Sequence, residues 1–536
     1  MPNLILYHGK LHTQDADYPD ATAIALRDGR ILAVGRDSEI RALAKTDTEE
    51  IDLEGRRVLP GLTDSHIHFY DWSLFLERIQ LDDVASLAEV QELVYKTAKM
   101  TGPGEWVIGQ GWNEESWDPP KMPTRSDLDA VAPDHPVIIW RKDLHLASVN
   151  SLALKLANIS GATPDPDMGV IERDEFGNPN GILKELAINL VRDIMPQPSE
   201  MLIDNAMKNA MMKIHQLGIT GVHDMRIMGG EDGPPALHTW QRLRDTDEVR
   251  LRALVMLPGE LLDQAVSLGL QSGLGDEFLR IGGIKLFSDG ATGARTSWML
   301  EPFADGGSGM PLTPMQEIAE KIAKADQAGI TATIHSIGDR ANRELLDVFS
   351  EVLGKNENRT SLHGRHRIEH VQHSHPDDLG RLGPLDLVAS VQPLHLVEDI
   401  SMVDKAIGDR GQWTYAFRDL LDAGTILAFG SDCPVSSPNP FLGIQAAVTR
   451  QRADGTPEGG WYPSQRLTVE EAVYGYTMGA AIAAGVENDQ GSLTPGKLAD
   501  LIVLDQDIFS IPPLEIAKTQ VDKTVFNGDV VFDRLS

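Results

Sequence analysis

Short apolar runs separated by turn signals occupy both ends of the chain. Residues 4–7, 21–26 and 30–34 are such runs near the start, and 499–504, 523–526 and 530–532 are their counterparts near the end. Asp28-Gly29 and Asn527-Gly528 separate adjacent runs, and both pairs favour two-residue β-hairpin turns. Since chain termini often lie close together, residues 1–57 and 487–536 predict one small β-sandwich domain built from both ends.

The middle of the chain alternates apolar β-type runs with helical stretches, which is typical of βα units around a parallel sheet. Candidate strands lie at 58–63, 219–223, 251–256, 281–287, 330–335, 366–371, 387–392 and 425–430. Eight such units predict an α/β fold with a TIM-like (β/α)8 barrel over residues 58–486.

The interval between the first and second candidate strands is far too long for a single crossover. This stretch, about residues 70–200, contains many glycine, proline, tryptophan and asparagine residues, as in 109–113 and 163–166. We therefore expect a large insertion after the first barrel strand, forming a subdomain over the face where the βα loops emerge.

Composition narrows the classes of partner. The 536 residues include 48 Lys and Arg against 80 Asp and Glu, a formal charge of -32. Such a surface repels phosphates and anionic lipid, so we expect a small-molecule substrate and neither nucleic acid nor membrane as partner. The single cysteine excludes an internal disulfide and a cysteine-based zinc site. With no signal-peptide pattern and no apolar run of membrane-spanning length, the expected location is cytoplasmic; a homo-oligomer stays open.

His66 and His68 follow the first apolar run. Side chains at i and i+2 of an extended chain point to the same side, so both imidazoles can meet one ion. Neutral imidazole binds zinc and similar metals. Alone, such a pair is more often a pair of satisfied polar side chains. Asp64 is a candidate partner to fix an imidazole tautomer.

Later strands also end in potential ligands. His335, His370 and Asp432 each close a predicted strand, and Lys285 lies inside another. Burial favours a neutral lysine amine, which can react with CO2 to form a carbamate that bridges two cations. Each residue alone is more often a satisfied polar group, but the set in register at one rim predicts a two-metal site. Without carboxylation, a single metal remains as the alternative.

Several motifs resemble those of the amidohydrolase superfamily: residues 60–68, the strand-end histidines, and Gly430-Ser431-Asp432. Residues 496–504 are similar to the closing β-sandwich motif of that superfamily. Finer features resemble its YtcJ-like branch, amidohydrolase family 3. They are Gly111-Trp112-Asn113, His145 with Asn150-Ser151, residues 163–166, Lys285 with Asp289-Gly290, residues 335–341, and Gln392-Pro393 with His395. The resemblance covers nearly the whole chain.

The resemblance implies a metal-dependent hydrolase with one or two divalent ions, zinc being the expected metal. It assigns as ligands His66, His68, Lys285 (as a carboxylated lysine), His335, His370 and Asp432. With an unmodified Lys285, the single ion would be held by His66, His68, His335 and Asp432. A metal-activated hydroxide would attack the substrate, and Asp432 would be the catalytic residue that moves the proton.

The implied reaction is cleavage of an amide-type C–N bond, other than a peptide bond, in a small molecule. Fold alone sets no substrate, so hydrolysis of an ester, lactone or cyclic amide at the same site is an alternative. A non-catalytic regulator built on a decayed barrel is the alternative from another class.

Substrate contacts are expected from four further residues: His145, Arg295, His395 and Trp112. Arg295 has a competing interpretation as a partner of local acidic residues, and Trp112 as a packing residue. His223 is expected to hydrogen bond rather than ligate, and Cys433 to be a small buried side chain. His373 and His375 are expected in an exposed loop.

Overall fold

A computed structural model describes residues 1–82, 84–102, 104–142, 146–166, 169–355 and 363–535. The chain divides into two compact units. One consists of Met1–Trp72 with Met207–Ser536, and the other of Ser73–Ala206. Among the described residues, no helix combines the length and the apolar character needed to cross a membrane.

Eight parallel strands form a nearly closed barrel, which confirms the predicted α/β fold. The strands pair in chain order, and several are buried along their whole length because both faces are covered. They are Leu62–Ile67, Ile219–Asp224, Arg252–Pro258, Leu279–Phe287, Ala332–Ser336, Arg367–His370, Val388–Val391 and Ile426–Phe429.

The predicted first strand, 58–63, was wrong in its bounds. Arg57–Pro60 belongs instead to a sheet of the terminal segments, where it pairs antiparallel with Leu501–Leu504. The barrel strand begins at Leu62 after Gly61, whose amide donates to the Asp500 carbonyl at 2.9 Å. A Cβ at Gly61 would lie 2.2 Å from the Thr220 hydroxyl oxygen. The apolar run around Gly61 therefore contributes one strand to the terminal sheet and the next strand to the barrel.

Helices cover the outside of the barrel between and after its strands. Their ends carry the expected signals: Thr468 and Glu471 form a reciprocal capping box at one of them. The helices are Gly233–Asp245, Leu262–Ser267, Met315–Gln327, Asp339–Lys355, Pro393–Ile407, Phe417–Asp422, Pro440–Thr449, Val469–Gly475 and Met478–Ala484. Short 3-10 turns are Gly259–Leu261, Gly383–Leu385, Gly408–Trp413 and Pro463–Gln465.

Two sheets contain the terminal segments. The first sheet has the strand order Arg30–Gly35, Ala23–Arg27, Leu4–Tyr7, Glu49–Asp52. Helix Asp37–Arg41 follows the edge strand Arg30–Gly35 along the chain. The second has the order Lys10–Leu11, Arg57–Pro60, Leu501–Leu504, Val521–Phe526, Asp529–Asp533, and turn Pro513–Lys518 precedes its fourth strand. Apolar side chains of both sheets share one core, including Leu4, Leu6, Val58, Leu501, Val503 and Val525.

Both predicted hairpins of the terminal sheets are confirmed. Asp28 and Gly29 have φ of 51° and 76°, and Asn527 and Gly528 have φ of 53° and 85°. Each pair connects two antiparallel strands. Positive φ at both turn positions is the geometry that asparagine or aspartate followed by glycine accommodates best.

The unit Ser73–Ala206 has its own six-stranded sheet and apolar core. The strand order is Gly169–Arg173, Pro179–Glu185, Leu146–Val149, Val137–Arg141, Val107–Trp112, Ile79–Gln80. Its helices are Leu87–Met100, Arg125–Asp129, Ser151–Leu156 and Asn189–Arg192, with turns Glu114–Ser116 and Leu186–Ile188. Helices Phe69–Leu76 and Glu200–His215 connect the chain of this unit with the barrel segments.

The barrel closes between its first and eighth strands, beside Gly430. Ile67 forms a parallel bridge with Cys433, and the His68 amide donates to the Cys433 carbonyl at 2.9 Å. The Asp432 amide donates to the His66 carbonyl at 2.6 Å. A Cβ on Gly430 would lie 2.4 Å from the His66 backbone nitrogen. Glycine at this position is therefore a requirement of closure.

The substitution Gly430→Ala should lower the free energy of unfolding by about 1–3 kcal/mol, because the added methyl group overpacks the closing seam. Thermal unfolding of the purified protein measures the change. Gly354→Ala is the matched control, since a Cβ there meets nothing within 4 Å and the position is helical. An equal melting temperature for Gly430→Ala and wild type would contradict the close approach.

Candidate metal centre

His66, His68 and Asp432 meet where the barrel closes. His66 lies near the end of the first barrel strand and His68 directly follows it, while Asp432 comes just after the eighth strand. The Nε2 atoms of His66 and His68 lie 3.2 Å and 3.3 Å from Oδ1 of Asp432. Two imidazole nitrogens and one carboxylate oxygen are a donor set that suits a borderline transition metal.

A second group shares Asp432. One ring nitrogen each of His370 and His395 and one Asp432 carboxylate oxygen lie within 4.8 Å of one another. His370 ends the sixth strand, and its Nδ1 is 2.7 Å from Oε1 of Gln392. His395 lies in the first turn of helix Pro393–Ile407, whose start is fixed by proline at its first position. The two imidazoles are nearly parallel, with ring centroids 6.3 Å apart.

Lys285 and His335 lie on the fourth and fifth strands, whose register places Phe287 opposite His335. Lys285 is 2% exposed, and burial lowers the pKa of its amine to about 8. The His335 ring centroid lies 4.5 Å from that of His370. Burial, and then the charge of Lys285, lowers the pKa of His335 to about 3. His335 is consequently a neutral imidazole, the form that binds metals.

Glu369 is the important residue that the sequence analysis missed. Its Oε2 accepts a hydrogen bond from Nδ1 of His66 at 2.5 Å, and its other oxygen accepts from the Arg367 guanidinium. Both charged groups are buried. Burial opposes ionisation, but Arg367 and then His66 hold the pKa of Glu369 well below its usual range. With Nδ1 bound to Glu369, His66 presents Nε2 toward Asp432.

The signal for Glu369 was present in the sequence. Arg367 and Glu369 are two apart in a strand and so share a side, and a buried ion pair of this kind rarely lacks a polar neighbour. Arg367 also donates to Nδ1 of His223 at 2.8 Å and to the Ser390 hydroxyl at 2.9 Å. His223 thus hydrogen bonds to this network, as expected for it.

Asp64 hydrogen bonds to the backbone amide of His66, whereas Nδ1 of the His66 ring bonds to Glu369, contrary to the interpretation of Asp64 as its tautomer-fixing partner. Its carboxylate accepts from the His66 and Ser431 amides at 3.1 Å and 3.0 Å and from the Ser431 hydroxyl. Burial raises the pKa of Asp64 to about 6. The Asp64 side chain connects the first strand with the end of the eighth. The predicted role of fixing the His66 tautomer belongs to Glu369.

Residues with unfavourable backbone conformations lie in this centre. His370, Val371 and Asp432 have φ of 73°, 42° and 58°. Positive φ is uncommon for non-glycine residues and a marked outlier for a β-branched valine. Such strain persists where the surroundings enforce it and concentrates at functional sites. Here the Asp432 amide bonded to the His66 carbonyl supplies one such constraint.

The remaining predicted substrate contacts are dispersed. Arg295 Nε donates to both carboxylate oxygens of Asp305 at 3.0–3.1 Å. Arg295 thus pairs with a local acidic residue, which was its competing interpretation. Trp112 is fully buried in the core of the inserted unit, where its indole donates to the Ile139 carbonyl. His145 lies outside the described residues. Of the three that the structure describes, His395 alone joins a cluster of potential ligands.

The expectation of an exposed loop was wrong for His373. The side chain is 2% exposed, with its ring nitrogens 2.7 Å from the Thr292 hydroxyl and 2.8 Å from the Thr414 hydroxyl. Burial lowers its pKa to about 3. Cys433 is buried as expected, and burial raises the pKa of its thiol well above the usual value, which makes it a poor nucleophile.

Comparison with known proteins places this geometry in a family. A model of the amidohydrolase family matches residues 49–532. The chain is 34% identical to Protein LONG AFTER FAR-RED 3 of Arabidopsis thaliana, over 94% of this chain and 87% of that protein. It is 30% identical to the putative amidohydrolase YtcJ of Bacillus subtilis, over 99% of both chains. It is 27% identical to the N-substituted formamide deformylase of Arthrobacter pascens, over 100% of this chain and 99% of that one.

A solved structure is similar over almost the same extent. The uncharacterised metal-dependent hydrolase from Pyrococcus furiosus superposes with a TM-score of 0.78 and 30% sequence identity, covering 95% of this chain and 100% of that one. The barrel and its similarity to hydrolases define a protein of the hydrolase class, and its imidazole–carboxylate clusters are compatible with a metal site. The chain belongs to the amidohydrolase family, and the predicted YtcJ-like branch is confirmed.

Replacing Glu369 should weaken divalent-metal binding. Glu369→Gln removes the charge that orients His66, so we expect affinity for zinc to fall about 10–100-fold. The variant should also lose about 3–5 kcal/mol of stability, because Arg367 keeps a buried charge without its counter-charge. Chelator competition and chemical unfolding measure the two effects. Glu344→Gln, at a half-exposed helical position, is the control, and equal zinc affinity for Glu369→Gln and wild type would refute the role of Glu369.

Proposed function

We propose that the chain is a divalent-metal-dependent hydrolase that cleaves an amide-type C–N bond, other than a peptide bond, in a small molecule. The observation that carries this proposal is the convergence of two pairs of histidines on one carboxylate, Asp432, at the carboxyl ends of the barrel strands. This end of the fold is where barrel enzymes place their catalytic residues.

The donor set fits a metal ion. His66 and His68 direct Nε2 toward Asp432, and Nε2 of His395 is buried with no hydrogen-bond partner in the part of the chain that the structure describes. A buried polar atom without a partner is costly, and a ligand bound at this site would supply the partner. Nitrogen and carboxylate donors without thiolates suit zinc. We take His66, His68, Lys285, His335, His370 and Asp432 as the residues that would hold one or two ions.

A bound cation would supply Lewis acidity and lower the pKa of water to about 7. The chain supplies the base. Burial opposes ionisation of Asp432, but His66 and hydrogen bonds from His66 and His68 hold the pKa of its carboxyl well below the usual value. The ionised carboxylate of Asp432 would take a proton from the attacking water and deliver it to the departing nitrogen, which leaves as a neutral amine.

Lys285 is proposed to be carboxylated. Its buried amine with a pKa of about 8 has an appreciable neutral fraction near pH 7. The neutral nitrogen can add to CO2 with loss of one proton, giving a carbamate whose negative charge neighbouring cations would stabilise. The modification would replace a buried positive charge beside imidazoles by an additional oxygen ligand.

Carbon-13 NMR of protein supplied with labelled bicarbonate should show one carbamate carbon that is missing from Lys285→Met. Lys321→Met, at a position on helix Met315–Gln327 where lysine pairs with Glu317 near the surface, should retain the signal. Identical spectra of wild type and Lys285→Met would remove the modification from the proposal and leave the single-ion site.

Support for the amide bond comes from the relative whose name states its reaction, the N-substituted formamide deformylase. Hydrolysis of an ester, lactone or cyclic amide uses the same residues and is the alternative reaction. A non-catalytic regulator is the alternative class, and the close approach of both histidine pairs to Asp432 argues against a decayed site.

A panel of N-formyl and N-acyl amines, matched esters and lactones tests the reaction with zinc-loaded protein. We expect release of amine from at least one amide, and a loss of about 10²–10⁴-fold in rate in Asp432→Asn, because the amide side chain cannot accept the proton. Asp377→Asn, an exposed carboxylate, should retain the full rate. The proposal fails if the protein binds no divalent metal or if Asp432→Asn keeps full activity; a preference for esters would select the alternative reaction.

A further inference from the structure

A cavity lies among the segments that follow the fourth, fifth and sixth barrel strands. Its volume is about 360 Å³, which is within the range of small-molecule sites. Its walls come from residues 299–301, the start of helix Asp339–Lys355, residues 373–375, and the 3-10 turn Gly408–Trp413 with the residue before it. None of the residues taken above as metal ligands lines it. Its walls thus differ from those of the metal centre.

Two opposite charges line this cavity without forming an ion pair. Asp339 is a buried carboxylate, and Arg410 is a half-buried guanidinium. Arg410 donates to the carbonyls of Glu301, at 3.0 Å, and Pro302, and it forms no ion pair in the part of the chain that the structure describes. Its charge nevertheless acts on Asp339. Burial raises the pKa of the Asp339 carboxyl, two backbone amides lower it, and the charge of Arg410 lowers it further. The two groups attract each other without meeting.

Both charged groups keep capacity for a further partner. A carboxylate offers about four acceptor positions, and Asp339 accepts from the amides of Leu300, at 2.7 Å, and Arg340. A guanidinium has several N–H groups, of which Arg410 uses two. Ser374 adds a hydroxyl that has no hydrogen-bond partner among the described residues. A ligand in the cavity can therefore bond to an acid, a base and a hydroxyl.

An apolar wall completes the cavity. Met299 and Ile407 are buried, while Leu300 and Trp413 are half-buried. Small-molecule sites combine such a surface with a few placed polar groups, which fix the orientation of the ligand. The charges and the apolar wall together call for a molecule that has two opposite charges and an apolar part.

We propose that this cavity binds a free α-amino acid with an apolar side chain. The ammonium group bonds to Asp339, the carboxylate bonds to Arg410 and Ser374, and the side chain packs against Met299 and Ile407. This inference goes beyond the proposed function, because it requires neither a metal ion nor hydrolysis. It gives the chain a second small-molecule site.

Ligands with one charge fit the cavity less well. A simple anion would meet the carboxylates of Asp339 and Glu301, and a simple cation would meet the guanidinium groups of Arg343 and Arg410. Arg343 is already paired with Asp378 at 2.8 Å, so Arg410 is the base that remains for a ligand. A zwitterion places each of its charges beside the opposite charge, which is the arrangement that gives specificity.

Isothermal titration calorimetry of the full-length protein tests the inference with L-leucine, L-methionine and L-phenylalanine as probes. At least one of them should bind, with one molecule per chain. Analogues that keep a single charge should bind at least about tenfold more weakly, because each lacks one charge-assisted hydrogen bond. For leucine these are isocaproate, which has no ammonium group, and isoamylamine, which has no carboxylate. No binding of any of the three amino acids would overturn the inference.

Variants assign the binding to this cavity. Arg410→Gln and Asp339→Asn should each weaken binding at least about tenfold, because each removes one of the two charges. Arg192→Gln and Asp193→Asn are the matched controls, since both side chains are mostly exposed, and they should bind the amino acid as wild type does. Wild-type affinity in both Arg410→Gln and Asp339→Asn would place the ligand elsewhere and contradict the inference.

The variant Asp432→Asn separates this inference from the proposed function. It should bind the amino acid as tightly as wild type, whatever happens to its hydrolytic rate. Loss of binding in Asp432→Asn would move the ligand to the metal centre and overturn the inference, while the hydrolase proposal stands. Protein that binds no metal and cleaves no amide, but still binds the amino acid, would refute the hydrolase proposal alone.

A measurement on wild type makes the result independent of how the variants fold. Crystals soaked in the amino acid that binds should show its electron density between Asp339 and Arg410. Density beside Asp432, with none in the cavity, would contradict the inference.

Discussion

The seam between the first and eighth barrel strands is the constraint on which the site depends. There the Asp432 amide donates to the His66 carbonyl, and the His68 amide donates to the carbonyl of Cys433. Backbone pairing thus fixes the separation of residues that are far apart in the chain. Gly430 permits this approach because any side chain would collide with the His66 backbone. The imidazoles of the first strand and the carboxylate after the eighth consequently form one cluster.

A buried chain of charges beneath the cluster determines how its imidazoles point. Arg367 neutralises Glu369, and Glu369 occupies Nδ1 of His66. Gln392 does the same for His370 without a charge. In both histidines Nδ1 is occupied, so Nε2 remains available to bind a ligand. The low dielectric of the interior makes each such bond strong and makes each missing partner expensive. Orientation of the donors is thus part of the fold.

Family membership and local geometry answer different questions about this chain. The match over residues 49–532 identifies an amidohydrolase, whose barrel supports many substrates through its loops. The geometry of the structure adds the positions of individual side chains. It brings His395 into the group around Asp432, commits Arg295 to Asp305 and encloses Trp112 in an apolar core.

Local pattern along the chain was enough to predict seven of the barrel strands and the presence of the first, the two hairpins, and the candidate ligands at the strand ends. Strand periodicity and turn chemistry act between near neighbours, so they can be read along the chain. Long-range contacts determine where strand Arg57–Pro60 pairs, that Glu369 rather than Asp64 holds the His66 ring, and that His373 is buried. Those outcomes depend on which distant strands become neighbours, and burial and hydrogen-bond partners exist only after the barrel has closed.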